Sequence, residues 1–194
     1  MNIGIYIYDK AEVLDFSGPF EVFTTASRVC SDAEPFKVFL ISETGETVVA
    51  RAGYRVIPDY GFHNHPDIDV LIVVGGYHYE ELKKKTVLKW IGKQANNAQY
   101  VASICSGTWL LSEAGVLTTQ KVTTHFEDIS TLQESYPDLR VQKNARWIDE
   151  GKIITSAGIS AGIDMSLHLV GKFHNKTLAD NTARQMEYEW VKNE

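Results

Sequence analysis

Cys105 ends the apolar run "YVASIC" and is followed at once by Ser106, Gly107 and a pattern with helical spacing, "SGTWLLSEAGVL". That order puts a thiol on a sharp strand-to-helix turn, where strained backbone torsions hold the side chain over the carboxyl edge of a sheet. Free N–H groups and partial positive charge at the start of the following helix favour thiolate over thiol. They predict a lowered pKa and a nucleophile near neutral pH. Ser106 and Gly107 are small enough to admit a substrate, and their N–H groups could hold a developing negative charge as an oxyanion hole does. A lone cysteine at a strand end reads more simply as a small buried hydrophobe. The succession of strand, thiol, small pair and helix is what turns the argument toward catalysis.

Two further stretches bring chemistry to the same edge. Gly75 and Gly76 close the run "DVLIVVGG", so the backbone could cross the mouth of a crevice there and offer another N–H, although such a pair also makes a plain turn. Tyr77 follows, and with His78 and Tyr79 it lines either the pocket or the surface. Asp15 lies in "EVLDFSGPFEVF", just before a helix expected to open with Gly18 as N-cap and Pro19 as its first residue, which places Glu21 well in the first turn. Asp15 reads equally as a turn carboxylate. If it faces Cys105, the neighbouring anion drives it toward its protonated form, and such an acid can donate a proton and then, ionised, activate water. His125 in "VTTHF" could assist proton transfer. His63, His65 and Asp67 in "HNHPD" are metal-ligating types without a recognised spacing, so no metal is expected. Cys30 has no activating context, Trp109 and Leu110 read as core, and Asp164 reads as a carboxylate at a helix start.

Elements of two kinds must position these residues. The runs "IGIYIY", "FKVFLIS", "DVLIVVGG", "YVASIC" and "KIITSAG" are rich in Val and Ile, as parallel strands covered on both faces are. Between them lie helical patterns: "GPFEVFTTASRV", "YEELKKKTVLKWIGKQANN", "SGTWLLSEAGVL", "EDISTLQESYP" and "AGIDMSLHLVGKF". A last helix is expected in "TLADNTARQMEYEW". The alternation predicts an α/β fold, a flavodoxin-like three-layer sandwich whose mainly parallel sheet collects ligands beyond the carboxyl ends of its strands. Hairpins are expected in "GETVVARAGYRVIPDYGF", with Gly53 near the turn, and around Glu150-Gly151, with a further strand at "VTTHF".

With 194 residues and no linker or repeat, one domain over residues 1–194 accounts for the chain. A net charge of −6, with Lys83-Lys84-Lys85 the one short basic run, argues against a nucleic-acid surface. The opening "MNIGIYIYDK" lacks the layout of a secretory signal and no stretch is long enough to span a membrane, so a cytoplasmic location is expected. In that compartment Cys30 and Cys105 stay unpaired.

The stretches "LDFSGPFEVF", "DVLIVVGG", "SICSGTWLLSEAGVLTTQKVTTHF" and "ITSAGISAGIDMSLHLV" together resemble the ThiJ/PfpI superfamily, whose fold is that of class I glutamine amidotransferases. Within it the likeness is to isocyanide hydratases and to the amidotransferase-like domains of AraC-type regulators. The resemblance implies Cys105 as nucleophile, Asp15 as its paired acid, and Gly75, Gly76 and Ser106 as oxyanion or pocket lining. It also implies a homodimer, no cofactor and a small-molecule substrate. The implied chemistry is hydration of an isocyanide to an N-formamide through a thioimidate on Cys105. A glyoxalase, deglycase or amidase-type hydrolase would use the same thiolate, and a redox or ligand sensor would use the same cysteine without turnover. Ser106 stands where PfpI-type peptidases carry His, and the late His and Glu of the amidotransferases have no counterpart, which argues against both activities. An end at Glu194 predicts no DNA-binding extension of the regulator kind.

Overall fold

The computed structural model describes residues 1–31 and 34–192; Glu194, where the expected domain closes, lies outside them. In chain order the elements are β1 (Asn2–Tyr6), α1 (Val13–Val29), β2 (Lys37–Ile41), β3 (Val48–Val49), β4 (Arg55–Val56), β5 (Val70–Val73), α2 (Lys85–Asn97), β6 (Tyr100–Ile104) and α3 (Gly107–Glu113). They continue with β7 (Lys121–Val122), α4 (Ile129–Ser135), β8 (Arg140–Val141), β9 (Trp147–Glu150), β10 (Ile153–Ser156), α5 (Ala161–Phe173) and α6 (Lys176–Gln185). The five Val- and Ile-rich runs became β1, β2, β5, β6 and β10, all side by side.

The main sheet has six strands in the order β2-β1-β5-β6-β10-β9, parallel throughout except for the β9–β10 hairpin. Helices α1, α5 and α6 pack together, and α2 packs with α3, so that helices flank a sheet whose Ile5, Ile72, Val73 and Ile104 are fully buried. Register decides where the chemistry falls. Tyr6 pairs with Val73, Val73 with Ser103, and Ser103 with Thr155. The chain therefore leaves four adjacent strands at one edge, and the segments carrying Asp15, Gly75-Gly76, Cys105 and residues 157–159 emerge together.

Helix α1 corrects the expected start. It begins at Val13 rather than after Gly18, so Asp15 sits in its first turn and Pro19 in its interior. The Gly-Pro signal has another origin: a Cβ on Gly18 would lie 3.0 Å from Ile163 Cγ1, which makes Gly18 the point where α1 rests closely on α5. Burial of Asp15, Phe16, Gly18 and Pro19 outweighs the backbone donor that proline lacks. Helix α2 also starts later than expected, after a single 3₁₀ turn at Glu81–Lys83.

The β3–β4 hairpin turns through Gly53, whose φ is +80°. Only Lys121–Val122 of the "VTTHF" region is strand, and it pairs in parallel with β8, which is too short to announce itself by alternation. Asp164 does more than favour a helix start. It is fully buried, pairs with Arg146 and accepts the N–H of Val191 at 2.9 Å, tying the segment after α6 to α5. Among the described residues no helix is long and apolar enough to cross a membrane.

Candidate active site

Cys105 occupies the elbow between β6 and α3 with φ +55°, a left-handed conformation that non-glycine residues seldom adopt. Hydrogen bonds hold it there. Its N–H is shared between the carbonyls of Ser156 (3.2 Å) and Ala157 (3.3 Å), and its own carbonyl accepts from Thr124 Oγ1 at 2.9 Å. Gly107 lets the elbow form, because a Cβ there would lie 2.1 Å from the carbonyl oxygen of Val73. Gly107→Ala must therefore push α3 off β5, and a loss of about 3 kcal/mol of unfolding free energy is expected in urea titrations. Gly171→Ala, whose nearest neighbour is 3.6 Å away, is the near-neutral control.

The thiol is 6% exposed. The backbone N–H groups of Ser106 and Ile159 both point at its sulfur. Ile159 was missed by sequence reasoning, where "GISAGID" registered only as a helix start. It has φ +52°, an outlier for a β-branched residue, and that torsion turns its N–H toward the sulfur. Only the motif itself pointed to this stretch; nothing in an isoleucine signals a positive φ.

Asp15 stands opposite, 0% exposed. Its Oδ2 accepts the Gly75 N–H at 3.0 Å, while Oδ1 has no hydrogen-bond partner among the described residues. Burial pushes Asp15 up to about 7, against the pull of the Gly75 N–H and with a smaller push from the charge of Glu12. Burial also pushes the Cys105 thiol up, the Asp15 charge adds to it, and the N–H groups of Ser106 and Ile159 pull back. This reverses the lowered thiol pKa expected from the helix start. Helix α3 is one of only seven residues, and its end effect is small beside the cost of an anion on a sulfur so far out of water. Burial pushes both groups up, so the pair resists losing both of its protons at once.

The two glycines have a different occupation from the one expected. The Gly75 N–H is spent on Asp15, and the Gly76 N–H donates to Ser106 Oγ at 3.0 Å, with Ser106 Oγ donating in turn to the Gly76 carbonyl at 3.1 Å. Their N–H groups fix the acid and Ser106, while Gly76 itself still lines the cleft over Cys105. A Cβ on Gly75 would lie 2.6 Å from the Ser106 nitrogen and 2.9 Å from Asp15 Oδ2, so the close approach needs glycine. The N–H groups left near the sulfur are those of Ser106 and Ile159.

A cleft of about 260 Å³ opens over Cys105, with Gly76, Tyr77, His78, Ser106, His125 and Ile159 among its walls. Glu12 and Arg51 form an ion pair of 3.2 Å at its side. His78 is 3% exposed, stacks on Trp109, and has its pKa lowered by burial, which keeps the ring neutral. His125 lies over Gly158, where a Cβ would come within 2.3 Å of its Cδ2, and its Nδ1 accepts the Glu127 N–H. Tyr77 remains 44% exposed under Lys10 Nζ. Other singled-out residues lie elsewhere: His65 Nε2 accepts from Trp90 Nε1, and Cys30 Sγ is 3.7 Å from His174 Nε2.

The sequence model of the DJ-1/PfpI family matches residues 1–172. Among curated proteins, the HTH-type transcriptional regulator GbdR of Pseudomonas aeruginosa is 28% identical, covering 100% of this chain and 52% of its own. The chain thus spans about half the length of that relative. The isonitrile hydratase of Pseudomonas putida is 29% identical over 97% of this chain and 78% of its own. Among solved structures, a THiJ/PfpI family protein from Pseudomonas syringae superposes with a TM-score of 0.87 at 25% identity, covering 100% of this chain and 77% of that one.

Proposed function

The chain belongs to the DJ-1/PfpI family, and from that premise we propose that it is a cysteine-dependent enzyme that hydrates a small isonitrile to the corresponding N-formamide. The observation that carries this reading is the buried Cys105–Asp15 pair, with one carboxyl oxygen fixed by Gly75 and the other unpartnered. The Pseudomonas putida relative supports the choice of substrate class.

The sulfur of Cys105 attacks the terminal carbon of R–N≡C, forming the S–C bond as the thiol proton passes to the Asp15 carboxylate and from there to that carbon. The product is a thioimidate, R–N=CH–S–Cys105. Asp15, ionised again, takes a proton from water as the oxygen adds to the same carbon, and the proton goes to the substrate nitrogen. Collapse of the adduct breaks the S–C bond, releases R–NH–CHO and returns the proton to sulfur. The net reaction adds one water to the isonitrile, the formyl hydrogen coming from the thiol and a water proton replacing it on sulfur, and no electron acceptor is needed. The N–H groups of Ser106 and Ile159 steady charge on the sulfur as it arrives and leaves. The cleft of about 260 Å³ sets the size of R. His125 serves at the mouth as a proton carrier to bulk water. One domain, a homodimer and a cytoplasmic location complete this reading.

The test is conversion of a small alkyl isonitrile by the purified protein, followed as formamide released and as a covalent adduct on Cys105 by intact mass. Turnover with that adduct supports the proposal. Absence of both sinks it and moves the weight to dicarbonyl substrates attacked by the same sulfur. The likeness to regulators favours a second reading, in which occupancy or oxidation of Cys105 is the signal. It predicts no turnover, and a peroxide-dependent gain of oxygen mass confined to Cys105.

A further inference from the structure

Two oxygens at the carboxyl end of β1 are buried without a hydrogen-bond partner among the described residues: Asp15 Oδ1 and the hydroxyl of Tyr8. Tyr8 lies two residues past β1 and is 3% exposed. Native interiors rarely leave such groups unpaired, since a buried donor without an acceptor loses its bond to water and gains nothing. The two belong to one electrostatic neighbourhood. Among charged groups Asp15 acts on Tyr8 most strongly, followed by Glu81 and Cys105, with Arg51 opposing.

Tyr8 lines a second cleft, about 160 Å³, at the carboxyl ends of β1 and β2. Several polar groups of that cleft are already engaged. Asp9 Oδ1 accepts the Val49 N–H, Ser42 Oγ accepts the Gly45 N–H, and Glu43 accepts from Thr86. Lys84 bridges Glu43 and Glu81, and Glu81 also accepts from the Tyr6 hydroxyl. Among the described residues the Tyr8 hydroxyl is a buried donor without an acceptor, and Asp15 Oδ1 a buried acceptor without a donor.

We infer that Tyr8 is a positioning residue for the Asp15–Cys105 pair, its hydroxyl donating to Asp15 Oδ1 across one bridging water. This rests on the proposed roles of Asp15 and Cys105. Burial and the Asp15 charge hold the Tyr8 pKa well above its ordinary value, so the hydroxyl stays a donor throughout the working range. A donor to the carboxylate favours its ionised form and so keeps a base beside the thiol at lower pH. The other groups facing Asp15, namely Cys105, Glu12, Arg51 and the Gly75 N–H, stay in place when Tyr8 changes.

The test is Tyr8→Phe, which keeps the ring in the core and removes one oxygen. The readout is the pH dependence of Cys105 alkylation by iodoacetamide, followed by mass, which needs no knowledge of the substrate. The inflection is expected to move up by about one pH unit, roughly a tenfold slower reaction on its acid side. In an Asp15→Asn background the same substitution should have no effect on the profile. An inflection unmoved by Tyr8→Phe, or an equal effect with and without Asp15, overturns the inference. A shifted inflection in a protein that does not hydrate isonitriles leaves the inference standing and removes the proposed activity instead.

Discussion

Cys105→Ala is expected to bring isonitrile hydration down to the uncatalysed rate, a loss of at least about four orders of magnitude in turnover. No neighbour can take over the covalent step, because the N–H groups of Ser106 and Ile159 converge on one sulfur. The fold should not suffer. The elbow torsion of +55° strains alanine no more than cysteine, and the backbone bonds from Ser156, Ala157 and Thr124 do not involve the side chain. Rates of formamide release measured beside thermal melts separate the two effects. Residual turnover above about one per cent of wild type would mean that water is activated without a covalent intermediate.

Asp15→Asn has two expected effects of opposite sign. Turnover should fall by roughly 10²- to 10⁴-fold, since amide nitrogen and oxygen can neither accept nor return the thiol proton. Stability should rise at alkaline pH. The carboxyl moves from 3.8 to about 7 on folding, so the folded state binds the proton more tightly than the unfolded one. Its stabilising contribution is complete below about pH 4, declines as pH rises toward about 7, and is gone above that. At 1.36 kcal/mol per unit, the ionised carboxylate costs roughly 4 kcal/mol, which the neutral amide avoids. Urea titrations at about pH 8 should therefore show the variant more stable than wild type, and at about pH 4 the difference should vanish. A variant less stable at both values would show that the carboxylate is held by bonds stronger than its burial cost.

The sheet and the elbow were legible because their signals are local. Apolar runs such as "DVLIVV" and "YVASI" have few uses other than strands covered on both faces, and each ended where the main sheet needed it. Cysteine followed by a serine and a glycine that a Cβ would exclude could be read as a turn before any neighbour was known. What escaped depended on tertiary contact. The Gly18-Pro19 pair imitates a helix start, and only the closeness of Ile163 reveals it as a packing point. The donors of Gly75 and Gly76 were rightly placed at the edge, but which acceptor they find is a matter of ångströms. The direction of the thiol pKa turned on how far the sulfur is out of water, which no helix-start motif encodes. Ile159 carries no sequence mark of its torsion at all.

The stacking of Trp109 on His78, with ring centroids 5.8 Å apart and planes at 18°, also gives the cleft an optical property. An imidazolium quenches indole emission far more strongly than a neutral ring does, and burial keeps His78 neutral at ordinary pH. Emission from Trp109 is thereby insulated from small changes of acidity yet sits one residue layer behind the cleft wall. A molecule that displaces the His78 ring changes the signal, so occupancy can be titrated without a label even for a compound that the protein binds and never transforms.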